Sequence, residues 1–147
     1  MKKILPPSYF AFCLIITVLL HYILPIKQII HYPYNLLGFL FFVIGGALNI
    51  WTDQLFKKNE TTVKPDQKPS ALIQTGPFKI SRNPMYLGMT ILLIGIGFIL
   101  GSIISFVGAI LFVVAMEIAF ITKEEKNLQE QFGEEFDAYR KKIRRWI

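Results

Sequence analysis

Two polar stretches carry the side chains that could do chemistry. The first, GPFKISRNPMYLG, runs from Gly76 to Gly88 between hydrophobic blocks. Arg82 is a fixed cation whose planar donors suit a carboxylate or a phosphate. Gly76-Pro77 breaks helix and forces a tight path. Pro84 biases Asn83 away from helix, yet itself fits the first turn of a helix, where its missing N–H costs nothing. The free N–H groups and positive dipole end of such a helix favour an anion. Tyr86 brings a ring and a hydroxyl, and Gly88 lets a backbone or a ligand come close. The competing reading is a basic loop that Arg82 anchors on lipid phosphate.

The second stretch, KEEKNLQEQFGEEF, covers Lys123 to Phe136. Glu124 and Glu125 stand where a hydrophobic block ends. Carboxylates there can accept hydrogen bonds from hydroxyl or amino groups; they also suit the dipole of a solvated first helical turn. Glu117 lies inside the preceding apolar block, flanked by Met116 and Ile118. An ionisable group at that depth is a functional candidate by default. It precedes Glu124 by seven residues, so helical spacing puts the two on roughly one face. Glu117 is the candidate base, and its options are a neutral form enforced by burial, a pair with a cation such as Arg82, or snorkelling to the interface. Asp53, near the inner end of another block, has the same options. His21 reads as an interfacial polar residue far from both clusters.

The elements that must position these groups follow from hydropathy. The chain has 147 residues, of which 53% are hydrophobic, and a mean hydropathy of +0.46. The apolar residues come in four blocks of membrane length: about 9–26, 34–56, 84–100 and 103–121. The bilayer offers no water to the backbone, so each block must be helical. Gly101 and Ser102 leave room only for an antiparallel hairpin between the last two. The expectation is an all-α, polytopic membrane protein with a single domain over 1–147. The apolar run after Lys2 and Lys3 meets no small-residue cleavage site, so it reads as a span and not as a removable signal.

Orientation follows from the basic residues. With the N-terminus inside, all of the 16 Lys and Arg except Lys27 fall on the inner side. Both termini are then cytoplasmic, and so are the loop 57–83 and the tail 122–147. In that tail Leu128, Phe132, Phe136, Tyr139 and Ile143 share a helical face, which predicts an amphipathic interfacial helix kinked at Gly133. Thr122 with Glu125 resembles a capping box, the alternative being a helix that simply continues out of the membrane. One cysteine rules out a disulfide framework and two histidines are too few for a His-rich site, so no metal is expected. The net charge of +6 is placed for membrane orientation and calls for no nucleic acid. Gly97 and Gly101 have a spacing that allows close helix contact, within one chain or between chains.

From Thr62-Val63-Lys64-Pro65, through Ala71–Phe78 and Ser81–Gly88, to Glu124-Glu125, Leu128, Phe132-Gly133, Tyr139 and Arg144-Arg145-Trp146, the chain resembles the isoprenylcysteine carboxyl methyltransferase and phospholipid methyltransferase superfamily of integral membrane enzymes. The resemblance covers roughly the C-terminal 85 residues. It implies S-adenosylmethionine as methyl donor. It also implies a pocket made by the loop before the third span and the polar segment after the fourth. Gly76, Pro77, Arg82, Asn83, Pro84, Tyr86, Leu87 and Gly88 would then lie at the donor. Glu124 or Glu125 would hold its polar parts, and Leu128 and Tyr139 would close over it.

Two departures bear on the acceptor. The eukaryotic prenylcysteine enzymes have histidine where Asn83 stands, and an arginine in the last span that Ala115–Thr122 lacks. A phospholipid amine or a small thiol or amine therefore stands beside an isoprenylcysteine-like carboxylate as the lipophilic or membrane-delivered substrate. Membrane sterol reductases share a resemblance in this half but are larger and use NADPH; a non-catalytic lipid-binding protein is the other alternative.

Overall fold

The computed structural model describes residues 5–24, 26–61 and 69–147. Lys2, Lys3, Pro25, Lys64 and Lys68, and the matching stretch Thr62–Pro65, lie outside the described residues. Every regular element among the described residues is a helix; the one β-type contact is an isolated bridge between Gln28 and Ser102. Helix α1 covers Pro6–Ile23, α2 Leu37–Lys58, α3 Pro84–Leu100, α4 Val107–Met116 and α5 Thr122–Lys142. The segments Pro6–Ile23, Tyr34–Lys58 and Ile103–Lys142 are long and apolar enough to cross a membrane, and α3 is a shorter apolar helix.

The first helix starts three residues before the expected span, because Pro6 and Pro7 occupy its first turn, where no N–H is missed. It stops at Ile23 and leaves Ile26 outside, since Leu24 precedes a proline and is driven out of helix. Asn83 is the non-helical residue before α3 and Pro84 opens it, as the Asn-Pro pair predicts. Gly101 ends α3 in the left-handed conformation. Its carbonyl accepts from Ile29 N and Ile30 N at 2.9 and 3.0 Å, which pins the α1–α2 connection to the α3–α4 turn. His21 lies at this same end, 2.8 Å from Ser102 Oγ, far from the polar clusters as expected.

Helices α2 and α3 cross through glycine. A Cβ on Gly45 would sit 2.7 Å from the Gly88 carbonyl oxygen, and one on Gly95 2.8 Å from that of Gly38. Gly97 faces the Phe106 ring, so this small residue serves packing within the chain. On the other side of α3, Cys13, Leu93, Ala109, Phe112, Met116 and Ile121 form a core joining α1, α3 and α4.

The last apolar helix does not run into α5 as a plain α-helix. Glu117–Ile121 forms a π-type turn between them. Thr122 opens α5 without a break in the helical path and caps nothing: its hydroxyl donates to the Glu117 carbonyl at 2.9 Å, so the helix continues out of the apolar block and the capping box does not form. Gly133 breaks the helical path with φ 47°, as its composition suggested. The tail helix ends at Lys142, short of the expected 147, and Ile143 is extended. The apolar face of α5 lies against the chain itself. Phe136 and Tyr139 are buried with Ile73 and Phe78, flanked by Leu55, Phe56 and Leu72.

Candidate functional site

The two polar stretches meet. The loop Gly76–Asn83 and the start of α5 enclose a cavity of about 350 Å³, together with the N-terminal end of α1 and the C-terminal part of α2. That volume is within the roughly 300–1,000 Å³ of small-molecule sites. Its lining includes Arg82, Asn83, Pro84, Tyr86, Glu124, Glu125, Leu128 and Tyr139, all named from the sequence.

Local structure explains how each polar group arrives. Gly76, at φ 58°, turns the chain against the Trp51 ring and into a short 3-10 turn ending at Lys79. Ser81 is fully buried, and its hydroxyl donates to the Arg145 carbonyl at 2.8 Å while accepting from Asn83 N at 3.0 Å. Asn83 Nδ2 donates to the same carbonyl at 3.1 Å, and Arg82 N donates to the Arg144 carbonyl at 3.0 Å. The extended C-terminal segment thus clasps the loop from behind and turns the Arg82 side chain into the cavity wall. Tyr139 closes the opposite side, its hydroxyl donating to the Phe78 carbonyl at 2.7 Å. Burial pushes that phenol up to about 12, against the lowering effect of Arg82, so it stays a donor.

Charge in the wall is arranged in two units. In the first, Arg82 Nη2 lies 3.1 Å from Glu125 Oε1. This is an ion pair without hydrogen-bond alignment, because Arg82 Nε and Glu125 Oε1 are both buried with no hydrogen-bond partner. Burial lowers the Arg82 pKa and Glu125 opposes that, yet a guanidinium stays charged. Glu125 Oε2 is held by Arg145, with Nε at 3.0 Å and Nη2 at 2.6 Å. In the second unit, the Tyr86 hydroxyl donates to Glu124 Oε1 at 2.6 Å. Burial pushes the Glu124 carboxyl above its usual range; the Tyr86 hydrogen bond works against this and the Glu125 charge adds to it.

Five residues named from the sequence are not in the cavity lining. Gly76 and Pro77 shape the loop behind the wall, with Pro77 fully buried. Leu87 is buried too, and Gly88 is taken up by packing, since a Cβ there would meet the Asn49 side chain at 2.8 Å. Glu117 is the fifth. Its partner is Arg145, not Arg82, and its Oε2 also accepts from Trp146 Nε1 at 3.2 Å. The expected shared face of Glu117 and Glu124 is corrected as well. The π-type turn takes back about one residue of rotation, roughly 100°. Glu117 therefore aligns with Glu125 through their common Arg145, and Glu124 swings to Tyr86. Asp53 pairs with Lys57 at 2.6 Å, on a half-exposed helix face outside the cavity lining.

Other contributors were missed. Arg145 belongs to the matched stretch Arg144-Arg145-Trp146 and to the inner positive charge, but neither reading pairs it with Glu117 or Glu125, although a glutamate inside an apolar block demands a cation somewhere. Asn127, Met85, Met89, Thr52 and Phe56 also line the cavity, as do Leu5, Pro6 and Pro7 from the far end of the chain. Nothing in their spacing marks them.

Comparison with known proteins fits this geometry. The family model described as phospholipid methyltransferase matches residues 34–135, well over half of the chain. A Haemophilus influenzae protein described as uncharacterized is 33% identical over 63 residues, which is 43% of this chain and 100% of that protein. No solved structure matches the chain.

Proposed function

The chain belongs to the phospholipid methyltransferase family, and from that premise we propose that it transfers a methyl group from S-adenosylmethionine to a nucleophile delivered by the bilayer. The observation that carries this reading is the contact between remote stretches: Arg82 against Glu125 and Tyr86 against Glu124, in one wall of one cavity. The residues present fit the donor. A buried polar atom with no partner costs about 1–3 kcal/mol. Arg82 Nε is such an atom, and Glu125 Oε1 beside it has the charge of Arg82 Nη2 at 3.1 Å but no aligned donor. A donor that carries both a carboxylate and hydrogen-bond donors would satisfy both: Arg82 would bind the carboxylate, and Glu125 an amino or hydroxyl group. Asn83 and Asn127 flank them, while Leu128, Phe136 and Tyr139 exclude water above.

When bound, S-adenosylmethionine supplies a methyl on a sulfonium, open to in-line displacement. The protein's task is then alignment, dehydration and proton removal. Met85, Met89, Thr52 and Phe56 give the cavity an apolar floor for a lipophilic acceptor. An acceptor amine or thiol must shed a proton, and Glu124 is the carboxylate in the wall able to take it, at Oε2, while Tyr86 holds Oε1. Glu117 is a structural anchor in this scheme. The scheme further places four spans in the membrane, both termini on the cytoplasmic side, and α5 at the inner interface as the roof of the site. The whole chain forms a single domain.

The test is transfer of radiolabelled methyl from S-adenosylmethionine into a total lipid and small-molecule extract by the purified chain. Label in an organic-soluble product, together with thermal stabilisation by S-adenosylmethionine but not by NADPH, is the expected result. Stabilisation by NADPH alone would turn the reading to a reductase. Stabilisation by neither, with no labelled product, would leave a lipid-binding protein.

A further inference from the structure

Glu125 is gripped from both sides, and the second grip comes from a residue 20 positions away, beyond the end of α5. Arg145 reaches Glu125 with two nitrogens and Glu117 with a third. Trp146 next to it donates to Glu117 and packs on the apolar core of α1, α3 and α4. The backbone of the same segment holds Ser81, Arg82 and Asn83 through the Arg144 and Arg145 carbonyls. Arg145 is absent from the cavity lining, so it does not itself meet a ligand there.

We propose that Arg145 is a positioning residue of the donor site: its guanidinium fork, anchored below by Glu117 and Trp146, holds the Glu125 carboxylate by Oε2 and keeps Oε1 from closing into an aligned hydrogen bond with Arg82. This inference rests on the proposed donor site. Two arginines contest one carboxylate. Without Arg145, Glu125 turns fully onto Arg82, and the two atoms meant for the ligand satisfy each other. The π-type turn belongs to the same device. Eight residues of uninterrupted α-helix would leave Glu117 and Glu125 about 80° apart, and the inserted residue brings them to within about 20°. One planar guanidinium can then bridge both carboxylates, which an ammonium cannot do with the same geometry.

The proposal is tested on the full-length chain in detergent or nanodiscs. Titration calorimetry and kinetics are run with S-adenosylmethionine on the unmodified chain and on Arg145→Gln, Arg145→Lys, Glu125→Gln and the double variant Glu125→Gln/Arg145→Gln. Arg145→Gln is expected to weaken donor affinity roughly tenfold. Its donor KM should rise in step, with kcat changed far less. Arg145→Lys should keep the charge and the fold but recover only part of the affinity. The double variant should bind as Glu125→Gln does, because Arg145 acts through Glu125. Independent, additive losses in the double variant would overturn the proposal. So would unchanged affinity in both Arg145 variants, or a loss that appears only as a lowered melting temperature. If the unmodified chain binds no S-adenosylmethionine, the proposed function falls and takes this role with it; the other three results overturn this role alone.

Discussion

At the scale of single residues the site is a pair of carboxylates with different neighbours. Glu125 is neutralised by two arginines, whereas Glu124 faces a phenol and is pushed upward mainly by burial. A raised carboxyl binds its proton more tightly in the folded state than in the unfolded one. The folded state therefore gains stability as pH falls through the raised value. The gain is complete below the ordinary glutamate value of about 4.3. Glu124→Gln removes the penalty of the buried charge. We expect it to raise the melting temperature at pH 7.5, and the advantage over the unmodified chain to shrink toward pH 4.5. An advantage that stays constant over that range would contradict a buried, ionised Glu124. On the proposed mechanism, methyl transfer should fall in the same variant because Glu124 is its proton acceptor. Tyr139→Phe should cost about 1–3 kcal/mol in chemical denaturation, since it leaves the buried Phe78 carbonyl unpaired. Much of this residue scale was legible in advance. Arg82, Tyr86 and the two glutamates stand out as polar groups at the ends of apolar blocks. Arg145 stands in the matched C-terminal stretch, but its pairing with Glu117 and Glu125 was not legible, because a cation in a basic tail looks the same whether it pairs inward or faces lipid.

At the scale of elements, glycine sets how near α2 and α3 come. Gly45 and Gly46 are neighbours with opposite surroundings. A methyl on Gly45 meets a backbone oxygen, while one on Gly46 meets nothing within 4 Å. Gly45→Ala should destabilise by about 1–3 kcal/mol, and Gly46→Ala should be neutral or slightly stabilising. Equal effects in a thermal melt would show that the two helices are not packed this closely. Helices, breaks at Pro84, Gly101 and Gly133, and the α3–α4 hairpin could all be read from hydropathy and turn residues. The π-type turn could not, because an inserted residue in an apolar run leaves no trace in hydropathy. Its consequence was large: it moved Glu117 from Glu124 to Glu125. The fate of the α5 face was equally hidden. Apolar residues at helical spacing say that a face is buried, not whether lipid or protein buries it.

At the scale of the whole molecule, the chain divides into a latch and a site at opposite ends of the helices. The latch is the Gly101 turn with His21 and Ser102; the site is the loop, α5 and the C-terminal strap. Charge asymmetry made the meeting of the two polar stretches predictable, since it put both in one compartment. It could not foretell that Leu5–Pro7 would complete the cavity. The decisive measurement is calorimetric titration of S-adenosylmethionine into the folded chain, repeated on Arg82→Ala and Glu125→Gln. Saturable binding to the unmodified chain is expected, weakened on the order of tenfold to a hundredfold in each variant, as loss of a charged hydrogen bond implies. Equal affinity in all three proteins would contradict a donor site between Arg82 and Glu125.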